Sequence, residues 1–275
     1  MNAEKSAMKF SWRVYSLGVM ALGLASLAFG NFDPGQSVPA NFPAHTTLAY
    51  LSGAFMVIAA VAIQWRRTTA WGSAALTAYY GIFVVCLMNG RLLPAHYAQF
   101  GIYENAAMQL AIAVGGLIVF AASFDITIAA RLTRPAQLVF GVCALVWGTA
   151  HFVYMNFTAP MVPKWLPPSQ VFWGYATGIA FIAAGVAILT GVLAGLAAIL
   201  LTAMIASFGL LANGPALLAN HSTQFNWSES ALNFTLIGVA WIVADSLAQP
   251  KNRDIANPEN SARRKSGPSI LHQNR

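Results

Sequence analysis

The sequence predicts an all-α integral membrane protein with eight transmembrane helices, built as two parallel-repeat four-helix bundles. Three observations carry that reading. The 275-residue chain is 57% hydrophobic and only 8% charged, with a mean hydropathy of +0.60, whereas a soluble domain carries about 25% charged residues. So few charges cannot make a water-facing surface, and lipid must solvate much of the chain. Eight apolar runs are long enough to cross a bilayer, which takes about 20 residues. The chain also matches itself at a shift of 125 residues.

The self-match runs through nearly the whole unit. Asn31-Phe32 falls on Asn156-Phe157, Tyr50 on Tyr175, and Gly53 on Gly178. His96, Gln99, Phe100 and Glu104 fall on His221, Gln224, Phe225 and Glu229. The register slips by one residue where Asn89-Gly90 meets Asn213-Gly214. Chance could pair small apolar residues, but not a His, a Gln and a Glu together in a chain this poor in polar side chains. The chain is therefore read as a tandem duplication. Residues 12–130 form the first four-helix repeat and 131–248 the second, flanked by an N-terminal segment, 1–11, and a tail, 249–275.

The first repeat's spans are expected near 12–30, 47–64, 70–89 and 105–122. Those of the second are expected near 136–156, 171–189, 192–212 and 229–247. The first run starts basic, but no small-residue cleavage motif clearly follows, so it reads as a retained helix and not a removed signal peptide. Asn89-Gly90 and Asn213-Gly214 are helix-ending signals for spans three and seven. Glu104 and Glu229 open spans four and eight, where an acid in the first turn complements the helix dipole and free N–H groups. Asp125 and Asp245 lie at the far ends of the same spans, near Arg131 and Lys251, where solvation or pairing accounts for them. Thr190-Gly191 supplies a tight turn between spans six and seven. The tail, rich in Asn, Ser, Pro and Arg, reads as disordered.

Basic residues set the direction. Lys5, Lys9, Arg13, Arg66, Arg67, Arg131, Arg134 and six Lys/Arg of the tail collect on one side, against only Arg91 and Lys164 on the other. By the positive-inside rule both termini are cytoplasmic, as expected in a bacterial inner membrane. Four spans return each unit to its starting side, which makes the repeats parallel about an axis along the membrane normal. The longer loops, about 31–46, 90–104, 157–170 and 213–228, then all face outward, and long loops on one face carry function. The net charge of +7 is spread over span ends and the tail, which argues against a nucleic-acid partner. Cys86 and Cys143 form no CxxC, which disfavours a dithiol mechanism.

The outward level gathers most of the chemistry. His45, His96 and His221 lie in its loops, His151 near the end of span five, and Glu104 and Glu229 at the same height. Imidazole and carboxylate together suit proton transfer, a quinone head group or a metal. No HxxxH or ExxH pair supplies adjacent ligands on one helix, so no metal site is expected. The plainer alternatives are helix capping by the two Glu and loop hydrogen bonding by the His. His45 aligns with Gln170 and His151 with Ser26, so neither belongs to the duplicated set.

One stretch resembles a known family. His151-Phe152-Val153-Tyr154, then Met161-Val162-Pro163-Lys164-Trp165-Leu166-Pro167-Pro168, then Tyr175-Ala176-Thr177-Gly178, resembles the DoxX-like family of four-helix membrane proteins. Val38-Pro39-Ala40-Asn41-Phe42-Pro43 and Tyr50-Leu51-Ser52-Gly53 look like a weaker copy in the first repeat. Arg13 resembles the first-helix Arg of that family, Glu104 and Glu229 the acid that opens its fourth helix, and Ser123-Phe124-Asp125 its closing motif. Two departures stand out. The Glu that members carry three residues after the second-helix Gly is Met56 in one repeat and Phe181 in the other, and Leu138 replaces the Arg in the second.

The resemblance implies quinone redox chemistry, since some relatives are membrane subunits of quinone-linked oxidoreductases. On that basis the chain is expected to be a quinone- or redox-associated membrane subunit and not a complete enzyme. Glu104, Glu229, His96 and His221 would exchange protons, while His151, Trp165 and Trp173 would line a quinone pocket. Its partners would be the lipid bilayer and an oxidoreductase or other membrane protein. The alternatives are a non-catalytic scaffold or assembly chaperone, whose small-residue faces pack on another membrane protein, and a small-solute transporter.

Overall fold

The structure, a computed structural model, describes residues 9–256, with side-chain surroundings for 9–248. It is all-helical, with no strand among the described residues. Eight helices are long and apolar enough to cross a membrane: α1 Phe10–Phe29, α2 His45–Ile63, α3 Thr69–His96, α4 Phe100–Ala121, α5 Ile126–Val153, α6 Gln170–Thr190, α7 Ala194–Ala219 and α8 from Gln224. The α8 helix continues to Ala256, so the segment expected to be an unstructured tail begins as helix. The rest of that tail and residues 1–8 lie outside the described residues.

Corresponding helices make corresponding contacts. Within the first half α1 packs on α2, α2 on α3 and α3 on α4; within the second, α5 packs on α6, α6 on α7 and α7 on α8. The halves join where α1 lies on α8 and α5 on α4, with α4 and α8 also packed together. Tyr15 is fully buried at this junction and donates from Oη to the carbonyl of Ile112 at 2.9 Å.

Two glycine pairs set matching close crossings in the two halves. A Cβ on Gly23 would stand 2.7 Å from the carbonyl oxygen of Gly53, and one on Gly148 would stand 2.7 Å from that of Gly178. The pairs are 125 residues apart, so the duplication preserves the α1/α2 crossing as the α5/α6 crossing. Gly141 and Gly185 add a second close level between α5 and α6, where the first half has Ser16 and Ala60.

Helix ends differ from the sequence expectation in three places. Asn89-Gly90 and Asn213-Gly214 do not end α3 and α7. Each Asn closes a π-helical stretch, Tyr79–Asn89 and Gly209–Asn213, and the helix runs on to His96 and Ala219. A π turn takes up more residues than an α turn. The longer π stretch in α3 absorbs the extra residue behind the register slip between the two Asn-Gly pairs. Second, α5 starts at Ile126, where Asp125 caps it by accepting from the amides of Thr127 (2.9 Å) and Ile128 (3.2 Å). Third, α4 and α8 begin at Phe100 and Gln224, which places Glu104 and Glu229 beyond the first turn. Neither Glu is a cap.

The end carrying α1's start and α8's end is held by polar contacts. Asp245 accepts from Ser11 Oγ at 2.7 Å and lies 3.9 Å from Lys9 Nζ. Arg134 reaches the last carbonyls of α6, Ile188 at 3.4 Å and Leu189 at 3.3 Å, where a cation offsets the helix dipole. Gly191 in the left-handed region (φ 81°) ends α6, as the Thr190-Gly191 turn requires.

Candidate functional site

At the opposite end, the link between α1 and α2 dips inward at its start: Phe32, Asp33 and Gln36 are buried while Asn31, Pro34 and Asn41 stay exposed. Gly30 ends α1 in the left-handed region (φ 61°), and the chain turns inward as a 3-10 turn, Pro34–Gln36. Asp33 starts that turn by accepting from the Gly35 amide at 3.0 Å, and its own carbonyl accepts from Gln36 N at 2.9 Å. Gly35 is required here, because a Cβ would collide with the side-chain amide of Gln109 on α4.

The turn is pinned from three helices. Asn89 is the hub, 1% exposed at the end of the π stretch. Its Nδ2 donates to Val84 O at 3.0 Å and Gly35 O at 3.4 Å, while its Oδ1 accepts from Ser37 Oγ at 3.1 Å and Asn105 Nδ2 at 2.8 Å. Asn105 of α4 also donates to Gly35 O at 2.9 Å, and Arg91 to Ser37 O at 2.6 Å. From the second half, Gln224 donates to Phe32 O at 3.0 Å and Asn31 O at 3.3 Å.

Asp33 is the site's buried acid. It is 4% exposed, and its Oδ2 makes no hydrogen bond. Two further buried polar atoms without a partner stand around it, Gln109 Nε2 and Ser228 Oγ on α8. Burial pushes the Asp33 carboxyl above the usual carboxylate range, against a weaker pull from the neighbouring Ser228 hydroxyl and the Gly35 amide. No Lys, Arg or His lies within ion-pair distance of it among the described residues, where Lys9–Asp245 is the single such pair. Glu229 lies within electrostatic reach of both Asp33 and Glu104.

Beside the turn lies an apolar cavity of about 470 Å³, lined by Phe32, Phe42, Leu48, Leu51, Phe55 and Phe83 together with Ser52 and Tyr79. The volume suits a small-molecule site. Its polar wall is a hydroxyl pair, Ser52 Oγ and Tyr79 Oη, 2.5 Å apart. Behind it Ser52 reaches the Gln36 amide oxygen at 3.5 Å. Tyr79 is wedged between Phe55 and Phe83, with ring centroids at 5.1 and 5.5 Å, the latter pair stacked. Fully buried outside the cavity lining is Met56, whose sulfur accepts from Gln36 Nε2 at 3.4 Å and Tyr80 Oη at 3.1 Å.

The residues singled out from the sequence are dispersed. Glu104 and Glu229 are both half-buried, and Glu229 lies within electrostatic reach of Asp33 and Glu104. His96 and His221 are exposed; the His221 backbone carbonyl accepts from Trp227 Nε1 at 2.9 Å. His151 bonds the Trp147 carbonyl at 2.9 Å through Nδ1 and packs against Phe181 and Phe208. Trp165 is 70% exposed, and Trp173 donates to the Pro167 carbonyl at 2.9 Å. His45 opens α2 with its ring against Phe32, centroids 5.1 Å apart. Cys86 is exposed and Cys143 buried, both free thiols.

Sequence reasoning gave no role to Asp33, Gln36, Ser52, Tyr79, Asn105, Gln109 or Ser228. Their counterparts in the other repeat are Thr158, Met161, Thr177, Met204, Ser230, Phe234 and Tyr103. The cluster thus belongs to one half only, completed by α8 from the other.

A family described as a domain of unknown function (DUF8561) matches residues 140–244, which run from α5 to α8. No curated protein and no solved structure matches the chain.

Proposed function

We propose that the chain is a DoxX-like multi-pass protein of the bacterial inner membrane, with parallel repeats and both termini cytoplasmic. In this reading it is a quinone- or redox-associated membrane subunit. Insertion is supported by large apolar side chains exposed along several helices, such as Ile58, Ile82, Ile179, Ile199 and Leu210. A water-soluble monomer does not show so broad an apolar surface. The parallel repeat is supported by the matched helix contacts and the two glycine crossings.

The observation that carries the functional reading is the Ser52–Tyr79 hydroxyl pair at the back of an otherwise aromatic and aliphatic cavity. Such a wall offers hydrogen bonds to the carbonyl or hydroxyl of a lipophilic ring, while the aromatic sides take its faces. The pocket differs from the His151, Trp165 and Trp173 set suggested by sequence, and a candidate proton-exchanging group beside it is Asp33, next in the chain to the lining Phe32, with Glu229 within its electrostatic reach. The donors Gln36 and Tyr80 converge on Met56, the position where DoxX-like proteins carry a Glu.

Organic extraction of the gently solubilised protein is expected to release an isoprenoid quinone, and titration with decylubiquinone should saturate one site. Tyr79→Phe and Ser52→Ala should each weaken that binding about tenfold, the worth of one lost hydrogen bond in a buried site. If no quinone is extracted and neither substitution changes decylubiquinone binding, the reading fails. A stoichiometric protein partner in its place would favour the scaffold alternative.

A further inference from the structure

The turn that carries Asp33 is also a wall of the cavity. Phe32, one residue before the acid, lines it, and Gln36, three residues after, backs its hydroxyl pair. A movement of Asp33 therefore moves the binding surface. The acid is inserted among α4, α8 and the π stretch of α3, and the groups facing it from those elements offer no positive charge. From α8 comes Glu229, and from α3 Tyr79 and Tyr80, while Glu104 of α4 stands within electrostatic reach of Glu229. Arg91 of α3, a cation that reaches the turn, is engaged with the Ser37 carbonyl, and His45 packs on Phe32. An unpaired carboxylate so enclosed is costly to ionise, and the neutral acid is the form the fold accommodates.

We propose that Asp33 is a proton-operated latch: as the neutral acid it seats the 31–37 turn and completes the cavity wall, and on losing its proton it drives the turn outward and releases a bound lipophilic ring. This rests on the cavity being a ligand site. The sign follows from the direction of the shift. A carboxyl raised above its ordinary value favours the fold at low pH. Its contribution is complete below the ordinary carboxylate value and is lost as pH rises through the raised one. Binding is thereby linked to proton uptake at one residue, which suits a ligand whose own chemistry takes up or gives up protons.

Two readouts on the full-length protein in detergent test this, with Asp33→Asn as the permanently neutral variant. The first needs no ligand. Hydrogen–deuterium exchange at the Gly35, Gln36 and Ser37 amides, corrected for intrinsic rates, should lose at least about tenfold protection in the wild type between about pH 5 and about pH 9. In Asp33→Asn it should stay protected throughout. Constant protection in the wild type, or equal loss in the variant, overturns the latch. The second is decylubiquinone affinity, which should fall about tenfold over the same range in the wild type and stay flat in Asp33→Asn. Affinity independent of pH in the wild type overturns the coupling. No decylubiquinone binding at any pH removes the cavity reading, and the exchange result then decides the latch alone.

Discussion

Replacing Asn89 with Leu is expected to destabilise the protein by about 3 kcal/mol, whereas Asn213→Leu should cost less than about 1 kcal/mol. The two asparagines are the same residue of the duplicated unit, and Leu keeps the heavy-atom count and branching of Asn while removing its polar atoms. Asn89 engages Val84, Gly35, Ser37 and Asn105 in a fully buried setting. Leu there removes all four hydrogen bonds, each worth about 0.5–1.5 kcal/mol net, although Asn105 still donates to Ser37 Oγ at 3.1 Å. The Gly35 carbonyl keeps Asn105 and costs less. Asn213 is only half-buried and makes one long side-chain bond, 3.5 Å to the Glu229 carbonyl. Equilibrium unfolding of the detergent-solubilised variants measures both. Equal losses would mean that the polar hub is not what holds the 33–37 turn. The same Asn89 variant should lose decylubiquinone binding, because Phe32 leaves the cavity wall with the turn.

That asymmetry bears on what a sequence reveals. Eight helices and the positions of their links follow from apolar length alone, and the 125-residue match anticipates that α1/α2 and α5/α6 cross alike. Helix ends were harder to read. Asn-Gly is a stop signal in α-helical geometry, but a π stretch lets Asn89 turn its side chain inward and the helix continue to His96. The candidate site was missed for a more instructive reason. Searching for polar residues repeated in both halves favours Glu104, Glu229, His96 and His221, and it discards Asp33, whose counterpart is Thr158. Chemistry specific to one copy is invisible to a search for what the copies share. Asp33-Pro34-Gly35 also reads locally as an ordinary exposed turn; that it is driven into the bundle depends on Asn89, Asn105 and Gln109, which lie 52 or more residues further along the chain. The two glutamates stand on α4 and α8, which pack together, and neither caps its helix.

The crossing glycines carry the other large effect. Gly148→Leu is expected to destabilise the protein by at least about 3 kcal/mol, and Gly23→Leu by a similar amount. At Gly148 the new Cβ would stand 2.7 Å from the Gly178 carbonyl oxygen and 3.0 Å from the Ile182 nitrogen. At Gly23 it would stand 2.7 Å from the Gly53 carbonyl oxygen. Backbone atoms cannot rotate aside as a side chain does, so the helices must separate. Separation forfeits the close contact on which helix association in lipid depends, since apolar burial offers little there. Gly195→Leu is the matched control: it lies near the start of α7 with nothing within 4 Å of its added Cβ, and it should leave stability within about 0.5 kcal/mol. Because the α1/α2 and α5/α6 crossings share no residue, the Gly23 and Gly148 losses should add in the double variant. Melting of the purified variants, followed by the fraction that stays monodisperse, reads all four. A Gly148→Leu protein that melts with Gly195→Leu would remove the glycine crossing as the basis of the repeat. A double variant losing much less than the sum would instead mean that the two halves do not pack as independent copies of one unit.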